Sequence, residues 1–210
     1  FTVFSLSGCG GRNISTEKLH NGVQSVVISM PQAPMVTLQA WFRVGSRHEQ
    51  KGWEGASHFL EHLLFRRDKD ANGQTLVERV ESIGGLFNAA TSHDYTYFYI
   101  TLAPEHFRKG LAVLREALRE PAFTPDAFEK EKRVVLAEMD ERESDPWSRV
   151  YKKLWRNIFA GHPYQREVIG SRKSVEGLTH LQIGEYYAEN YRPDRLSIVV
   201  AGPLEKKEVT

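Results

Sequence analysis

The sequence has little cysteine, almost no net charge and no long apolar run. Cys9 is the only cysteine in 210 residues, which excludes an internal disulfide and a metal cluster built from cysteines. The 28 basic and 27 acidic side chains leave a formal net charge of +1, so no strong field would attract nucleic acid or an anionic membrane. No stretch approaches the roughly 18 apolar residues of a membrane-spanning helix. A globular protein of ordinary composition remains, and any metal site in it must be built from histidines and carboxylates.

The first residues suggest a lipid anchor. Leu6-Ser7-Gly8-Cys9 resembles the lipobox of bacterial lipoproteins, and the apolar residues before it are typical of the end of a signal peptide. Because the chain opens at Phe1 rather than Met, we expect its true start to be missing or processed. The alternative is a disordered leader with a stray cysteine. A real lipobox places the protein in the cell envelope or periplasm, with Cys9 as its only tie to a membrane; otherwise we expect a cytoplasmic protein.

Hydrophobic periodicity predicts an α+β fold, with a mainly antiparallel sheet backed by helices in one domain. Residues 1–15 are expected to be a flexible leader, and 16–210 the folded domain. Asn21-Gly22 predicts a hairpin turn. Further strands are expected at 35–44, 86–92, 95–102 and 196–201, and helices at 75–83, 104–119, 125–143, 146–160 and 179–190. Residues 45–55 are predicted to form a polar, solvated loop.

A short motif, His58-Phe59-Leu60-Glu61-His62, stands out within an otherwise apolar stretch. On a helix, Glu61 lies about 60° to one side of His58 and His62 about 40° to the other, so the three polar heads share one face. Burying two imidazoles and a carboxylate is costly unless something compensates them. A zinc ion would do so, with His58 and His62 as ligands and Glu61 free for chemistry. The alternative is a chance match in which the histidines pack against apolar neighbours.

Two histidines are too few, since catalytic zinc sites usually have three protein ligands. The helix expected at 125–143 carries many acidic residues, most of which we interpret as a solvated face. Glu131 and Glu138 differ from the other acidic residues of this helix. They are seven residues apart, which places them within about 20° of one another around the helix, on a partly apolar stripe flanked by Val134 and Val135. One of the two could bind the metal while the other orients a ligand. The spacing does not decide which.

Taken together, these motifs resemble the N-terminal domain of the pitrilysin, insulysin and mitochondrial processing peptidase family of zinc peptidases, the M16 inverzincins. Besides the His-x-x-Glu-His motif, the resemblance rests on several stretches between about residues 16 and 205. They are Gly84-Gly85-Leu86-Phe87-Asn88-Ala89, Thr91, Asp145-Pro146, Pro163-Tyr164, Ile169-Gly170 and Asn190-Tyr191-Arg192-Pro193. One departure is Phe65-Arg66-Arg67-Asp68, where family members often have Phe-Lys-Gly-Thr.

The resemblance implies a complete catalytic site. Glu138, 76 positions after His62, corresponds to the third zinc ligand of the family beside His58 and His62. Glu61 corresponds to the general base, which takes a proton from water and delivers it to the leaving amine. Glu131 corresponds to a helper that hydrogen-bonds a ligand or its surroundings. The implied activity is a zinc-dependent endopeptidase acting on oligopeptides or unfolded segments.

In this family the peptide substrate lies along a sheet edge, which here matches Phe87 to Thr91 and makes Asn88 and Ala89 candidate substrate-binding residues. The alternative for Asn88 is a residue that bonds its own backbone. Family members also pair this domain with a homologous second domain or subunit, to which nothing in this chain corresponds. A non-catalytic subunit, or a zinc domain that is inactive without its partner, therefore stays open.

Overall fold

The computed structural model describes residues 13–65, 73–119 and 123–209. In these ranges six strands form one sheet: β1 (Asn13–Lys18), β2 (Gln24–Ser29), β3 (Val36–Phe42), β4 (Leu86–Thr91), β5 (Thr96–Leu102) and β6 (Leu196–Gly202). Their order across the sheet is β1-β2-β6-β3-β5-β4. Only β2 and β6 run parallel among these neighbours; the other pairs are antiparallel. The predicted α+β fold with a mainly antiparallel sheet is confirmed.

Strands β3 and β5 form the inner part of the sheet and show why these residues fold as strands. Buried and half-buried side chains alternate along both strands, as expected when one face packs against the core. The register sets Leu38 opposite Ile100 and Ala40 opposite Phe98, and all four are fully buried. One face of the sheet therefore carries the apolar core.

Strand β1 begins earlier than the sequence suggested. The leader was expected to reach residue 15, but Asn13 already pairs with Ser29 at the start of the β1–β2 hairpin. Its polar residues resemble a loop because β1 is an edge strand, where one side of the backbone is free to face water. The hairpin turn itself was predicted correctly, since Asn21 Oδ1 accepts a hydrogen bond from the Val23 N–H at 3.2 Å.

Eight helices lie in the described ranges: α1 (Ala56–Phe65), α2 (Leu76–Glu81), α3 (Phe107–Arg119), α4 (Pro125–Ser144), α5 (Pro146–Ile158), α6 (Arg172–Gly177), α7 (His180–Asn190) and α8 (Lys206–Val209). None of them combines the length and hydropathy of a membrane span. Thr124 caps α4 by accepting the Ala127 N–H at 3.2 Å. Asp145 caps α5 by accepting the Ser148 N–H at 2.9 Å, which separates the two helices.

Helix α1 is buried along most of its length. Its residues Phe59, Leu60, Leu63 and Leu64 are at most 2% exposed, and the helix contacts α4, α7, β4 and β5. A helix that is apolar on most sides is expected to be buried in this way. The lipobox-like stretch at residues 6–9 and the family departure at 66–68 lie outside the described residues.

Candidate metal centre

Two helices that are far apart in the sequence bring the predicted ligands together. His58 and His62 lie one turn apart on α1, and Glu138 lies on α4, which packs against α1. The rings of Phe59 and Phe128 stack with their centroids 4.8 Å apart and join the two helices. Such an aromatic pair adds specific geometry to the burial of apolar area. The core thus sets the distance between the histidines and the glutamate.

One carboxylate oxygen faces both imidazoles. Oε2 of Glu138 lies 3.6 Å from Nε2 of His58 and 3.6 Å from Nε2 of His62. One ligand atom from each of the three residues lies within 4.8 Å of the other two. Oε1 of Glu138 accepts hydrogen bonds from Nη2 and Nε of Arg142 at 2.8 and 3.1 Å. The guanidinium therefore holds the carboxylate with its other oxygen toward the two nitrogens.

The protonation states suit groups that bind a metal ion. Burial, followed by the neighbouring His62, lowers the pKa of His58 to about 4, so its imidazole is neutral at neutral pH. The contact with His62 is the main cause that lowers the pKa of Glu138 to about 2, with smaller effects from His58 and Arg142. This carboxyl is therefore ionised. Neutral imidazole and carboxylate are the forms in which histidine and glutamate bind metals.

The space between these three groups fits a zinc ion. Nitrogen–oxygen distances of 3.6 Å are too long for hydrogen bonds. Ligand atoms about 2.1 Å from a tetrahedral zinc ion lie about 3.4 Å from one another, close to the two nitrogen–oxygen separations found here. Two imidazoles and one glutamate also form a ligand set that catalytic zinc sites use. The arrangement of His58, His62 and Glu138 is therefore suited to zinc.

Glu131 contacts the opposite side of the His62 ring. Its Oε2 lies 3.4 Å from Nδ1 of His62, and its side chain is 4% exposed. Between the two glutamates on α4 lies Val135, which is fully buried. Metal-binding histidines usually offer their second ring nitrogen to a carboxylate or carbonyl, so this position suits the orienting role expected for Glu131. Nδ1 of His58 is buried and has no hydrogen-bond partner among the described residues.

Glu61 is held beside the three donors by strand β4. The Thr91 hydroxyl donates a hydrogen bond to Oε2 of Glu61 at 2.5 Å. Burial raises the pKa of Glu61, and the hydrogen bond from Thr91 opposes this effect. Glu61 lies outside the group of three clustered donors. Its carboxylate therefore has a fixed position, while its second oxygen can act on a neighbouring molecule.

The two candidate substrate-binding residues lie on opposite faces of β4. This strand is at the edge of the described sheet, with β5 as its neighbour there. Ala89 packs toward the core on the same face as Thr91, and the alternation of side chains puts Asn88 on the other face. Asn88 is exposed, and its Oδ1 accepts a hydrogen bond from the Ala89 N–H at 2.8 Å. This contact is the self-bonding alternative expected for Asn88, and both substrate roles stay predictions.

Two contacts in this site had no role assigned from the sequence. Arg142 stands four residues after Glu138 on α4, and the i,i+4 spacing of opposite charges is a signal that could have revealed the pair. Thr91 lies 30 residues from Glu61. No local pattern connects a helix to a particular strand residue at that separation, so only the fold brings them together.

Glu49 contradicts the expectation that residues 45–55 form a solvated loop. It is 4% exposed. Its carboxylate accepts hydrogen bonds from the N–H groups of Gly55 at 2.9 Å and Ser57 at 2.8 Å, at the start of α1. Burial raises the pKa of Glu49 to about 7, although these bonds favour the ionised form. The loop appeared polar in sequence because the partners of Glu49 are backbone groups, which composition does not reveal.

The raised pKa of Glu49 predicts a pH-dependent stability. The Glu49 carboxyl binds its proton more tightly in the folded protein, with a pKa of about 7 instead of 4.5. Its protonation therefore stabilises the fold fully below pH 4.5, and this contribution to the free energy of unfolding is lost as the pH rises through about 7. Between pH 5 and pH 8 the free energy of unfolding of the wild type should fall by about 2.5 kcal/mol relative to that of Glu49→Gln. Urea unfolding of both proteins at the two pH values measures this difference. Parallel pH profiles would contradict it.

Several known proteins are similar to this chain in sequence. The family model described as insulinase (peptidase family M16) matches residues 25–172. An uncharacterized zinc protease of Rickettsia bellii is 30% identical over 197 residues, which cover 94% of this chain and 48% of that protein. Subunit 1 of the mitochondrial cytochrome b-c1 complex of Bos taurus is 29% identical over 192 residues, which cover 91% of this chain and 40% of the subunit.

A solved structure shares the fold. The crystal structure of a protease from Helicobacter pylori matches with a TM-score of 0.88 and 27% identity, and the match covers 94% of this chain and 48% of that one. The chain spans about half the length of the relatives that it matches. The range matched by the family model includes both α1 and α4, the helices that carry the three clustered donors. The resemblance indicated by the motifs is confirmed, and the chain belongs to peptidase family M16.

Proposed function

We propose that this chain provides the catalytic site of a zinc-dependent endopeptidase that cleaves oligopeptides or unfolded segments. The observation that supports this proposal best is the approach of one Glu138 oxygen to the Nε2 atoms of His58 and His62, with Glu61 fixed beside them. The names of zinc protease relatives support a peptidase function and zinc as the metal.

Different residues of the chain have different roles in the proposed hydrolysis. Zinc held by His58, His62 and Glu138 would polarise the scissile carbonyl and lower the pKa of the attacking water. Glu61 takes a proton from this water and passes it to the leaving nitrogen. Because Thr91 occupies Oε2 of Glu61, we assign the proton transfer to Oε1. Burial raises the pKa of Glu61 and so makes its carboxylate a stronger base than an exposed one.

The edge strand β4 is the proposed binding place for the peptide. An extended peptide can pair with the free edge of a sheet through main-chain hydrogen bonds. Ala89 lies on the side of α1, two residues from Thr91, so a peptide paired there runs past the Glu61 carboxylate. The Asn88 side chain, which now accepts the Ala89 N–H, would have to release that group for a paired peptide.

The length of the relatives supports a second candidate function, in which this chain is a subunit that needs a partner. The chain covers 48% of the Rickettsia bellii protein and 48% of the Helicobacter pylori protease. One relative is named as a subunit of the cytochrome b-c1 complex, a name that describes an assembly. We therefore propose a homologous second domain or subunit as the partner, which would close the site around the peptide.

Zinc content and peptide hydrolysis, measured on the same preparation, test the proposal. We expect about one zinc ion per chain and chelator-sensitive cleavage of a quenched peptide library. Zinc without cleavage would favour the partner-dependent reading, and added second half should then restore activity. A well-folded chain that binds no zinc would overturn the metal site and with it the peptidase proposal.

Replacing Glu131 by glutamine should weaken zinc binding while leaving the three donors in place. The amide keeps the shape of the side chain but removes the negative charge from the Nδ1 side of His62. Loss of such an outer partner typically costs about 10- to 100-fold in metal affinity. Competition with a chromophoric chelator measures the change, and Glu129→Gln, exposed on the same helix, is the control. Equal affinities in both variants would exclude the orienting role.

A further inference from the structure

The first turn of α1 is fastened by a buried carboxylate from outside the helix. Oε2 of Glu49 accepts the Gly55 N–H at 2.9 Å, and Oε1 accepts the Ser57 N–H at 2.8 Å. N–H groups at a helix start have no partner within the helix and must find one elsewhere. Glu49 therefore supplies two of these partners at once, and the second of them lies on the residue directly before His58.

Other contacts hold the same turn against the rest of the fold. The Ser57 hydroxyl and the Tyr186 hydroxyl of α7 are 2.8 Å apart and form a buried hydrogen bond. Gly55 has a φ of +100°, and a Cβ at this position would lie 2.6 Å from the carbonyl oxygen of Ile169. The backbone at the start of α1 thus fits a narrow space, and it has little freedom to shift along the helix axis.

A buried carboxylate at position 49 is costly for the stability of the fold. Glu49 is 4% exposed, and burial raises its pKa to about 7, so its ionised form is disfavoured in the fold. Buried charges are retained only where other interactions compensate them. Both oxygens of Glu49 are directed at helix N–H groups, and residues that break the ordinary rules of a core are often found at functional sites.

We propose that Glu49 is a positioning residue of the metal centre: its carboxylate fixes the first turn of α1 and thereby the place of His58 relative to Glu138. This inference rests on the proposed zinc site. A site of this kind needs its ligands within about 0.5 Å of the productive geometry. Nε2 of His58 faces Oε2 of Glu138 from the turn that Glu49 holds, so a shift of that turn changes this distance first.

The test compares Glu49→Gln with Glu54→Gln. Glutamine at 49 keeps one accepting oxygen but turns an NH₂ group toward the second backbone N–H, so one of the two bonds is lost. Glu54 lies in the same loop, and its carboxylate accepts the N–H of Gly52 at 2.9 Å instead of an N–H at the start of α1. Zinc affinity is measured by chelator competition, and the visible absorption of the Co²⁺-substituted proteins reports the metal's coordination geometry.

We expect Glu49→Gln to bind zinc about tenfold or more weakly and to shift the Co²⁺ spectrum, with Glu54→Gln unchanged in both. A residue that served stability alone would change the unfolding midpoint and leave both metal readouts as in the wild type. That result would overturn the inference while the zinc site stands; a wild type without zinc would overturn both. If Glu49→Gln does not fold, Glu49→Asp is measured, and an unchanged affinity and spectrum there would contradict the proposal.

Discussion

Glu61→Gln is expected to abolish peptide hydrolysis while the protein still binds about one zinc ion per chain. The amide has the shape of the carboxylate and can still accept the hydrogen bond from Thr91, so the packing around it should not change. It cannot accept a proton from water at neutral pH. A general base contributes about 10²- to 10⁴-fold to the rate, and we expect a loss of about 10³-fold in kcat.

The measurement is hydrolysis of a quenched peptide by whichever form of the protein is active, alone or with its second half. Zinc content is determined on the same samples. Glu81→Gln, at an exposed position on α2, controls for the loss of one negative charge. A Glu61 variant that keeps more than about a tenth of the wild-type rate would contradict the role of this residue as the base.

The histidine pair could be predicted because its signal is local. His58 and His62 lie one turn apart in a stretch that is otherwise apolar apart from Glu61, and the structure buries most of that stretch in α1. Spacing alone fixes which side chains share a face of a helix. The two residues therefore carry their relation to each other in the sequence.

Glu131 and Glu138 show where spacing stops being informative. Seven residues give them nearly the same direction, but they lie about 10 Å apart along the helix axis. They cannot reach the same point. In the structure His62 lies between them. Its Nε2 faces Glu138 and its Nδ1 faces Glu131, so each glutamate contacts a different ring nitrogen. The choice between the two glutamates thus depends on how α4 is placed against α1, which helical periodicity does not state.

The contacts that support the site were the hardest to predict. Thr91 reaches Glu61 from a strand, and Glu49 reaches the backbone of α1 from a loop. Both contacts depend on tertiary structure, and the second involves backbone groups that every residue carries. The family resemblance implied the proposed metal ligands and the proposed base, whereas these supporting residues became visible only from distances and burial.

The position of Glu138 on α4 allows its proposed role as a zinc ligand to be measured separately from its contribution to stability. Its side chain is 29% exposed, and Oε1 is paired with Arg142 near the surface, where an ion pair is worth about 1 kcal/mol or less. The partner of Oε2 in the proposed site is the metal. The pKa of Glu138 is lowered to about 2, mainly by His62, so Glu138→Gln should also remove some stability from the metal-free fold at neutral pH. Unfolding of the metal-free variant is therefore measured beside its zinc affinity. Glu141→Gln, exposed on the same helix, is the matched control.

Zinc binding, in contrast, should suffer most at this position. Loss of a ligand is expected to weaken zinc affinity beyond the roughly 10- to 100-fold that loss of an outer partner costs, so Glu138→Gln should bind zinc more weakly than Glu131→Gln. Chelator competition on the two variants measures this order directly. The reverse order would make Glu131 the ligand and Glu138 the orienting residue, which the distances oppose, because Oε2 of Glu138 faces two imidazole nitrogens while Oε2 of Glu131 faces Nδ1 of His62.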